Sequence, residues 1–134
     1  MESICERLRQ TYDCDYYPID LRRLVEKMGV RVREREWQGG PHAACVPEIR
    51  LVILNRRRSE TQRRFDLAHE LGHFVLPESA WHTDAENRFA ACLLMPRAVF
   101  QLEWIAALGH AARVAHIFGV SQTAVLRRRV ELAR

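Results

Sequence analysis

The stretch FDLAHELGHFVL, residues 65–76, constrains this chain more than any other, because it places two histidines and a glutamate in an apolar run. Ser59 and Gln62 have the spacing of a capping box, and helical periodicity continues from there to about Leu76, before Pro77. Apolar residues flank the two histidines and the glutamate, so we expect this part of the helix to be largely buried. Buried imidazole and carboxylate groups need partners.

His69, Glu70 and His73 form the pattern H-E-x-x-H within this helix. Residues four apart lie about 40° apart around a helix axis and about 6 Å along it, so two imidazoles at that spacing can bind one zinc ion. The glutamate after the first histidine points to the open side of such an ion, where it can take a proton from an attacking water. The alternative is a pair of histidines with ordinary hydrogen-bond partners. The apolar surroundings favour the metal site.

Gly72 lies in the middle of the same helix, where glycine costs about 1 kcal/mol relative to alanine. We therefore expect the backbone of another element to approach the helix closely at this position.

The composition indicates one globular domain over residues 1–134, with 48% hydrophobic and 28% charged residues. Four scattered cysteines without a C-x-x-C pair are expected to be free thiols. No apolar run reaches the roughly 20 residues that cross a bilayer, and no signal peptide opens the chain, so a cytoplasmic protein without a membrane contact is expected. The net charge of +4 includes the arginine runs 56–58 and 127–129, which we interpret first as solvated surface.

Periodicity and turn residues predict an α+β order of elements. The predicted strands are 30–35 and a hairpin over 42–55 with a bend near Pro47 and Glu48. Besides the helix after Ser59, helical segments are predicted over 2–12, 19–28, 84–95, 97–107, 110–118 and 121–133.

Four stretches together resemble the ImmA/IrrE family of bacterial and phage metallopeptidases: IRLVILNRRRSETQRRF, RRFDLAHELGHFVL, ENRFAACLLMP and VAHIFGVSQTAVLRRRVEL. The resemblance runs from about residue 19 to the end of the chain. It implies a zincin-like core over residues 1–96, in which a small twisted, mainly antiparallel sheet packs against helices that include the H-E-x-x-H helix. It also implies a helical, helix-turn-helix-like subregion over residues 97–134, packed on that core.

The resemblance carries functional roles to individual residues. It implies that His69 and His73 bind Zn²⁺ and that Glu70 is the general base. Asn87 matches a polar position on the next helix, from which it could hydrogen-bond a metal-binding histidine. The family's third ligand is a glutamate four residues before that asparagine, but Thr83 stands there.

The third ligand is therefore open among three neighbours of Thr83. Asp84 is favoured, although acidic residues also occur at helix N-termini because of the helix dipole. Glu86 could instead complete a capping box with Thr83. His82 would precede the helix, where the backbone is free to aim it. A site without a third protein ligand is the remaining alternative.

The C-terminal segment RVAHIFGVSQTAVLRRRV has the form of a helix-turn-helix, with a turn at Gly119 and Ser121 as N-cap. Its arginines could meet phosphates, and Gln122 or Thr123 could reach base edges. Val120, Val125, Leu126 and Val130 instead suggest an apolar stripe packed on the core, and we favour docking of a repressor over direct DNA binding.

Two functions follow from this sequence. The first is a zinc-dependent endopeptidase that acts on a protein, expected to be a helix-turn-helix transcriptional repressor, and thereby derepresses phage, mobile-element or stress genes. The second is a non-catalytic regulator that binds a repressor or antitoxin through the same fold. Glu70 favours the first function, and Thr83 favours the second.

Overall fold

A computed structural model describes residues 1–81 and 83–134, with the side chain of Thr83 outside the description. Over these residues the fold is α+β, as predicted. The helices and strands follow in this order: α1 (Glu2–Thr11), α2 (Leu21–Lys27), β1 (Arg31–Arg35), β2 (Ala43–Val46), β3 (Leu51–Asn55), α3 (Glu60–Val75), α4 (Thr83–Leu94), α5 (Arg97–Ala106), α6 (Ala111–Phe118) and α7 (Gln122–Leu132). Short 3-10 turns lie at Pro47–Ile49 and Glu78–Ala80.

Local signals place most element boundaries correctly. The Ser59 side chain accepts from the Gln62 N–H, and the Gln62 side chain accepts from the Ser59 N–H, so the predicted capping box is confirmed. Gly29 follows α2 with a φ of +72°, which glycine adopts without strain. The predicted bend between β2 and β3 is the 3-10 turn Pro47–Ile49.

The three-stranded sheet has the order β1-β3-β2 and is mixed, which corrects the expectation of a mainly antiparallel sheet. β2 pairs with β3 in the antiparallel sense, whereas β1 pairs with β3 in parallel, with Arg31 opposite Leu51. The chain reverses direction between β1 and β2 and again between β2 and β3, so β1 and β3 run the same way. The alternation of apolar and polar residues indicates which face of a strand is buried, but not the edge of the sheet at which that strand pairs.

α3 lies between the sheet and α4, and its interaction with α4 is the most extensive between elements. Gly72 favours this packing, because a Cβ there would lie 3.3 Å from Cγ and 3.6 Å from Cα of Glu86, and Glu86 would have to shift by a few tenths of an ångström. The expected close approach of another backbone at Gly72 is therefore confirmed.

Two arginines connect the last two helices to the rest of the chain. Arg64 of α3 donates to the carbonyls of Phe118 and Gly119, which form the turn between α6 and α7. Arg128 of α7 is only 1% exposed and donates from Nε to the Met95 carbonyl at 2.9 Å. These bonds fix the position of α7 relative to α3 and α4. The boundary placed at residue 96 stays a prediction.

Within the described ranges, no single helix has the length and apolar character needed to cross a bilayer. One bent pair, Asp84–Leu94 with Arg97–Ala106 at 61°, passes that test on length and composition alone.

Candidate metal centre

The side chains of His69, Glu70 and His73 converge on one side of α3. One potential ligand atom from each lies within 4.8 Å of the others, and they form a group that could hold a metal ion. Glu70 is buried, and both histidines are half-buried. Glu70 Oε2 lies 3.7 Å from His73 Nε2, so this carboxylate faces the ring nitrogen that looks away from α4. The structure thus brings together the three residues that the motif singled out.

Asn87 of α4 orients the first histidine. Its Oδ1 accepts a hydrogen bond from His69 Nδ1 at 2.8 Å, as the sequence predicted for this position. Because Nδ1 donates to Asn87, the neutral form of the ring has its lone pair on Nε2, the nitrogen that could bind a metal.

Glu86, the residue before Asn87, faces the second histidine. Its Oε1 lies 3.8 Å from His73 Nδ1, and its side chain is almost fully buried. This oxygen has no hydrogen-bond partner among the described residues. A buried carboxylate is costly without a compensating proton or cation. Nδ1 of His69 thus faces Asn87, and Nδ1 of His73 faces Glu86. The Nε2 atom of each histidine lies on the side of the ring that points away from α4.

The electrostatics of Glu70 result from competing effects. Burial raises the pKa of the Glu70 carboxyl above its ordinary value, and the imidazoles of His69 and His73 oppose this rise. The carboxylates of Asp66 and Glu86 raise the pKa further. A cation beside Glu70 would favour the charged form that a general base requires.

These residues fit a zinc ion by their donor chemistry. Two neutral imidazoles four residues apart, each with its second nitrogen directed at an acceptor, are typical zinc ligands. The unpartnered oxygen of Glu86 adds negative charge behind His73. A cation at this site would offset the cost of burying Glu70 and Glu86.

Neither Asp84 nor Glu86, the two candidate third ligands within the described residues, belongs to the group formed by His69, Glu70 and His73. Asp84 is exposed and lies in the first turn of α4, outside the group formed by His69, Glu70 and His73. Asp84 does line the same groove as His69 and Glu70. The alternative His82 lies outside the described residues, and so does the side chain of Thr83, which stands at the family's glutamate position. Glu86 points its Oε1 at Nδ1 of His73, which suits an orienting role better than a ligand role.

A groove of about 1490 Å³ opens in front of this group and extends to α7. Asn87, Arg88 and Ala91 of α4 line it, and Leu126 and Val130 contribute from α7. A smaller cavity of about 220 Å³ lies against β2, where Cys45, Glu70, His73 and Trp81 are among the lining residues. His69 and Glu70 are therefore accessible from a wide, open groove.

The expectation that one apolar stripe of α7 packs on the core is only partly correct. Val120 and Val125 are buried as predicted, but Leu126 and Val130 are exposed at 51% and 57%. The face of α7 that packs on the core contains Val125, Arg128 and Leu132, at i, i+3 and i+7. Leu126 is rotated by about 100° from Val125, which turns it and Val130 towards the groove.

The arginine run at the end of α7 is divided among different environments. Arg128 is buried and forms ion pairs with Glu2 at 2.6 Å and Glu131 at 3.0 Å. Arg129 places its guanidinium 5.2 Å from the ring centre of Trp104. Arg127 is exposed and lines the groove. A continuous phosphate-binding surface is therefore not formed by these three arginines.

Sequence reasoning missed two contributors to the site. Glu86 was interpreted as a capping residue or third ligand, and its contact with His73 Nδ1 was not foreseen. Trp81 packs edge-on against His73, with ring centres 4.8 Å apart. Glu86 and Asn87 are consecutive polar residues on the helix that follows the two histidines, and this pattern could have indicated contacts with both rings. No local feature of the sequence indicated the position of Trp81.

A small sheet, an H-E-x-x-H helix and a second helix that faces both histidines define a metallopeptidase-like domain. Residues 25–129 match the family Peptidase_M78, described as the IrrE N-terminal-like domain, and the chain belongs to this family. The resemblance to the ImmA/IrrE family is thereby confirmed.

Among solved structures, a "Mycobacterium tuberculosis transcriptional regulator" has the same fold, with a TM-score of 0.78 at 17% identity. The match covers 97% of this chain and 46% of that one, so the chain spans about half the length of the regulator. At this identity the likeness shows the fold alone. No curated protein matches the sequence significantly.

Proposed function

We propose that this chain is a zinc-dependent endopeptidase whose substrate is a protein, specifically a helix-turn-helix transcriptional repressor. Cleavage would release phage, mobile-element or stress genes from repression. The observation that carries the proposal is the convergence of His69, Glu70 and His73, with the Nδ1 atom of each histidine directed at an acceptor on α4. That arrangement leaves two imidazole nitrogens and one carboxylate on the open side of α3.

In this proposal His69 and His73 hold zinc, and Asp84 is the favoured third ligand. When bound, zinc would polarise the scissile carbonyl and raise the acidity of the attacking water. Glu70 would accept the water proton on its carboxylate and transfer it to the leaving amine. Asn87 and Glu86 would hold the two imidazoles in the tautomer with Nε2 unprotonated. Their roles are positional, because each contacts a histidine on the side away from the substrate.

The edge strand β2 offers a place for the backbone of the substrate. In the described sheet, β2 pairs only with β3, so its other edge is available to an extended peptide. Cys45 of β2 lines the smaller cavity together with Glu70 and His73, which puts this edge beside the proposed general base. An extended peptide would then present its carbonyl groups to the metal centre.

A protein substrate is supported by the open groove of about 1490 Å³, which is larger than a site for a small ligand needs to be. The repressor is supported by family membership, and a structural neighbour is described as a transcriptional regulator.

A second candidate is a non-catalytic regulator that binds a repressor or antitoxin. A catalytic zinc has three protein ligands, whereas the described metal-binding group contains two histidines and the proposed base. Thr83 at the family's glutamate position favours this candidate as well.

The test is cleavage of the helix-turn-helix protein encoded beside this chain, by zinc-loaded wild type and by Glu70→Gln. The endopeptidase predicts new peptide termini in mass spectrometry with the wild type and none with Glu70→Gln. If both proteins bind the repressor and neither cuts it, the regulator is the function.

A further inference from the structure

We infer that the α7 end of the groove is a specificity site for a substrate segment with acidic and aliphatic side chains, three or four residues from the cleaved bond. The inference rests on the proposed function, because that function places the cleaved bond at the metal centre. The binding preference itself does not depend on cleavage.

α4 lines the groove and connects its metal end to its α7 end. Asn87 contacts His69 at the metal centre, and Ala91 lines the groove one turn later. The Met95 carbonyl, just after α4, accepts from Arg128 of α7. The eight residues from Asn87 to Met95 span about 12 Å along a helix. An extended peptide covers about 3.3–3.6 Å per residue, so the point where Arg128 of α7 contacts Met95 lies about three or four peptide residues from Asn87.

The α7 end of the groove carries two aliphatic side chains. Leu126 and Val130, one turn apart, line the groove and are more than half exposed. Their Cβ atoms lie on the same face of the helix, so they form one continuous apolar surface. Burial of such surface on binding is favourable by about 25 cal/mol per Å².

The charges beside these aliphatic residues are positive. Arg127, next to Leu126, lines the groove, is exposed and forms no ion pair with another described residue. Arg134 lines the groove and is exposed as well, whereas Arg128 is paired with Glu131. Arg88 and Asp84 are one turn apart on α4 and flank Asn87, so both lie at the metal end of the groove. A carboxylate of an occupant would complement Arg127.

The aliphatic residues favour a protein over a nucleic acid as the occupant. A phosphate backbone would be attracted by Arg127, but it would leave the apolar surface of Leu126 and Val130 exposed to water. A peptide with alternating acidic and aliphatic residues satisfies both sets. The hydrogen bonds of Arg128 and Arg64 hold α7 in place, so this surface does not need to be ordered on binding.

The cleavage test uses a random peptide mixture and zinc-loaded protein, with products aligned on the cut bond by mass spectrometry. The wild type should enrich Asp, Glu, Leu, Ile and Val at the third and fourth positions on one side. Arg127→Glu should reverse the charge preference, so that basic residues are enriched over acidic ones by about fivefold. This is the factor expected for reversing an exposed charge pair. Leu126→Asp should abolish the aliphatic preference.

Matched controls lie outside the groove. Arg57→Glu reverses an exposed arginine of the other run, and Leu102→Asp introduces a charge at a leucine of α5 that is 69% exposed. Both variants should keep the wild-type preferences. Cleavage without any preference at these positions, or preferences that Arg127→Glu and Leu126→Asp do not change, would overturn the inference and leave the proposed function intact.

A binding test separates the inference from catalysis. The probes are a fluorescent 12-residue peptide of alternating Glu and Leu, its counterpart with Lys for each Glu, and a 20-base-pair DNA duplex, measured by anisotropy. Tighter binding of the Glu peptide by about fivefold or more, reversed by Arg127→Glu, upholds the inference even where no peptide is cut. Equal binding of the two peptides, or a preference for the duplex, overturns it.

Discussion

Nδ1 of His69 donates a hydrogen bond to Oδ1 of Asn87 at 2.8 Å, which selects the tautomer whose Nε2 can bind a metal. The Oε1 atom of Glu86, the residue before Asn87, lies 3.8 Å from Nδ1 of His73, which is beyond hydrogen-bond distance. Two consecutive residues of one helix thus face two histidines that are four apart on another. Because both contacts depend on the close packing of α3 and α4 at Gly72, the orientation of the site is a property of that helix pair.

The first prediction concerns metal content. Purified protein should contain about one zinc per chain, and His69→Ala or His73→Ala should remove it, because a site reduced to one imidazole holds zinc weakly. Elemental analysis after dialysis measures the loss. His116→Ala, at an exposed histidine of α6, is the control and should keep the metal. Equal zinc in wild type and both α3 variants would exclude this site.

A second prediction concerns Glu70. Glu70→Gln should keep the fold and most of the zinc but lose peptide hydrolysis, because an amide cannot accept the proton of the attacking water. The measurement combines circular dichroism, zinc content and cleavage of the repressor. A Glu70→Gln variant that cuts at the wild-type rate would show that Glu70 is not the base.

Asn87 provides the third prediction. Asn87→Ala removes the acceptor of His69 Nδ1, and loss of such an orienting contact weakens metal binding by about 10–100-fold. Competition with a zinc-binding dye measures this change. Gln101→Ala, on the exposed side of α5, should have no effect. An unchanged zinc affinity in Asn87→Ala would mean that packing alone positions His69.

The fourth prediction addresses the third ligand. Thr83→Glu restores the family pattern and should tighten zinc binding by adding a charged oxygen ligand. Asp84→Ala should weaken binding only if Asp84 is a ligand, and His82→Ala tests the neighbouring alternative. If Thr83→Glu changes nothing and Asp84→Ala or His82→Ala abolishes binding, the residue replaced in that variant is the third ligand.

The fifth prediction concerns the ion pair between Glu2 and Arg128. Burial alone would raise the pKa of Glu2, but hydrogen bonds from Arg128, Cys92 and the Arg97 N–H outweigh it and hold the pKa below its ordinary value. A lowered folded-state pKa means that this stabilisation is present above the unfolded-state pKa and is lost as the pH falls through the folded-state value.

Glu2→Gln should therefore lower the free energy of unfolding at pH 7 by about 1 kcal/mol, a small value because Glu2 is partly exposed and screened by solvent. Urea unfolding at pH 7 and at pH values below the folded-state pKa measures the difference, which should vanish in acid. Glu36→Gln, at an exposed glutamate after β1, is the control. A difference that persists in acid would assign the effect to packing.

Most helices and strands were predictable because their signals are local. The Ser59 and Gln62 capping box, the glycine after α2 and the turn between β2 and β3 each act within a few residues. The H-E-x-x-H motif is local as well, because helix geometry alone brings His69 and His73 to one face. The sequence by itself therefore determined the elements and the three central residues of the site.

The tertiary structure decided what depends on residues far apart in the chain. The parallel pairing of β1 with β3 is one such feature, since alternation does not say which edge a strand joins. The burial of Arg128 is another, because its partners Glu2 and Met95 are distant in sequence. The outward position of Leu126 follows from it: once Val125 and Arg128 face the core, the helical twist turns Leu126 to the groove. Packing between elements decides which face of each helix is buried. When a sequence gives a helix two apolar faces, its pattern alone does not say which of the two that will be.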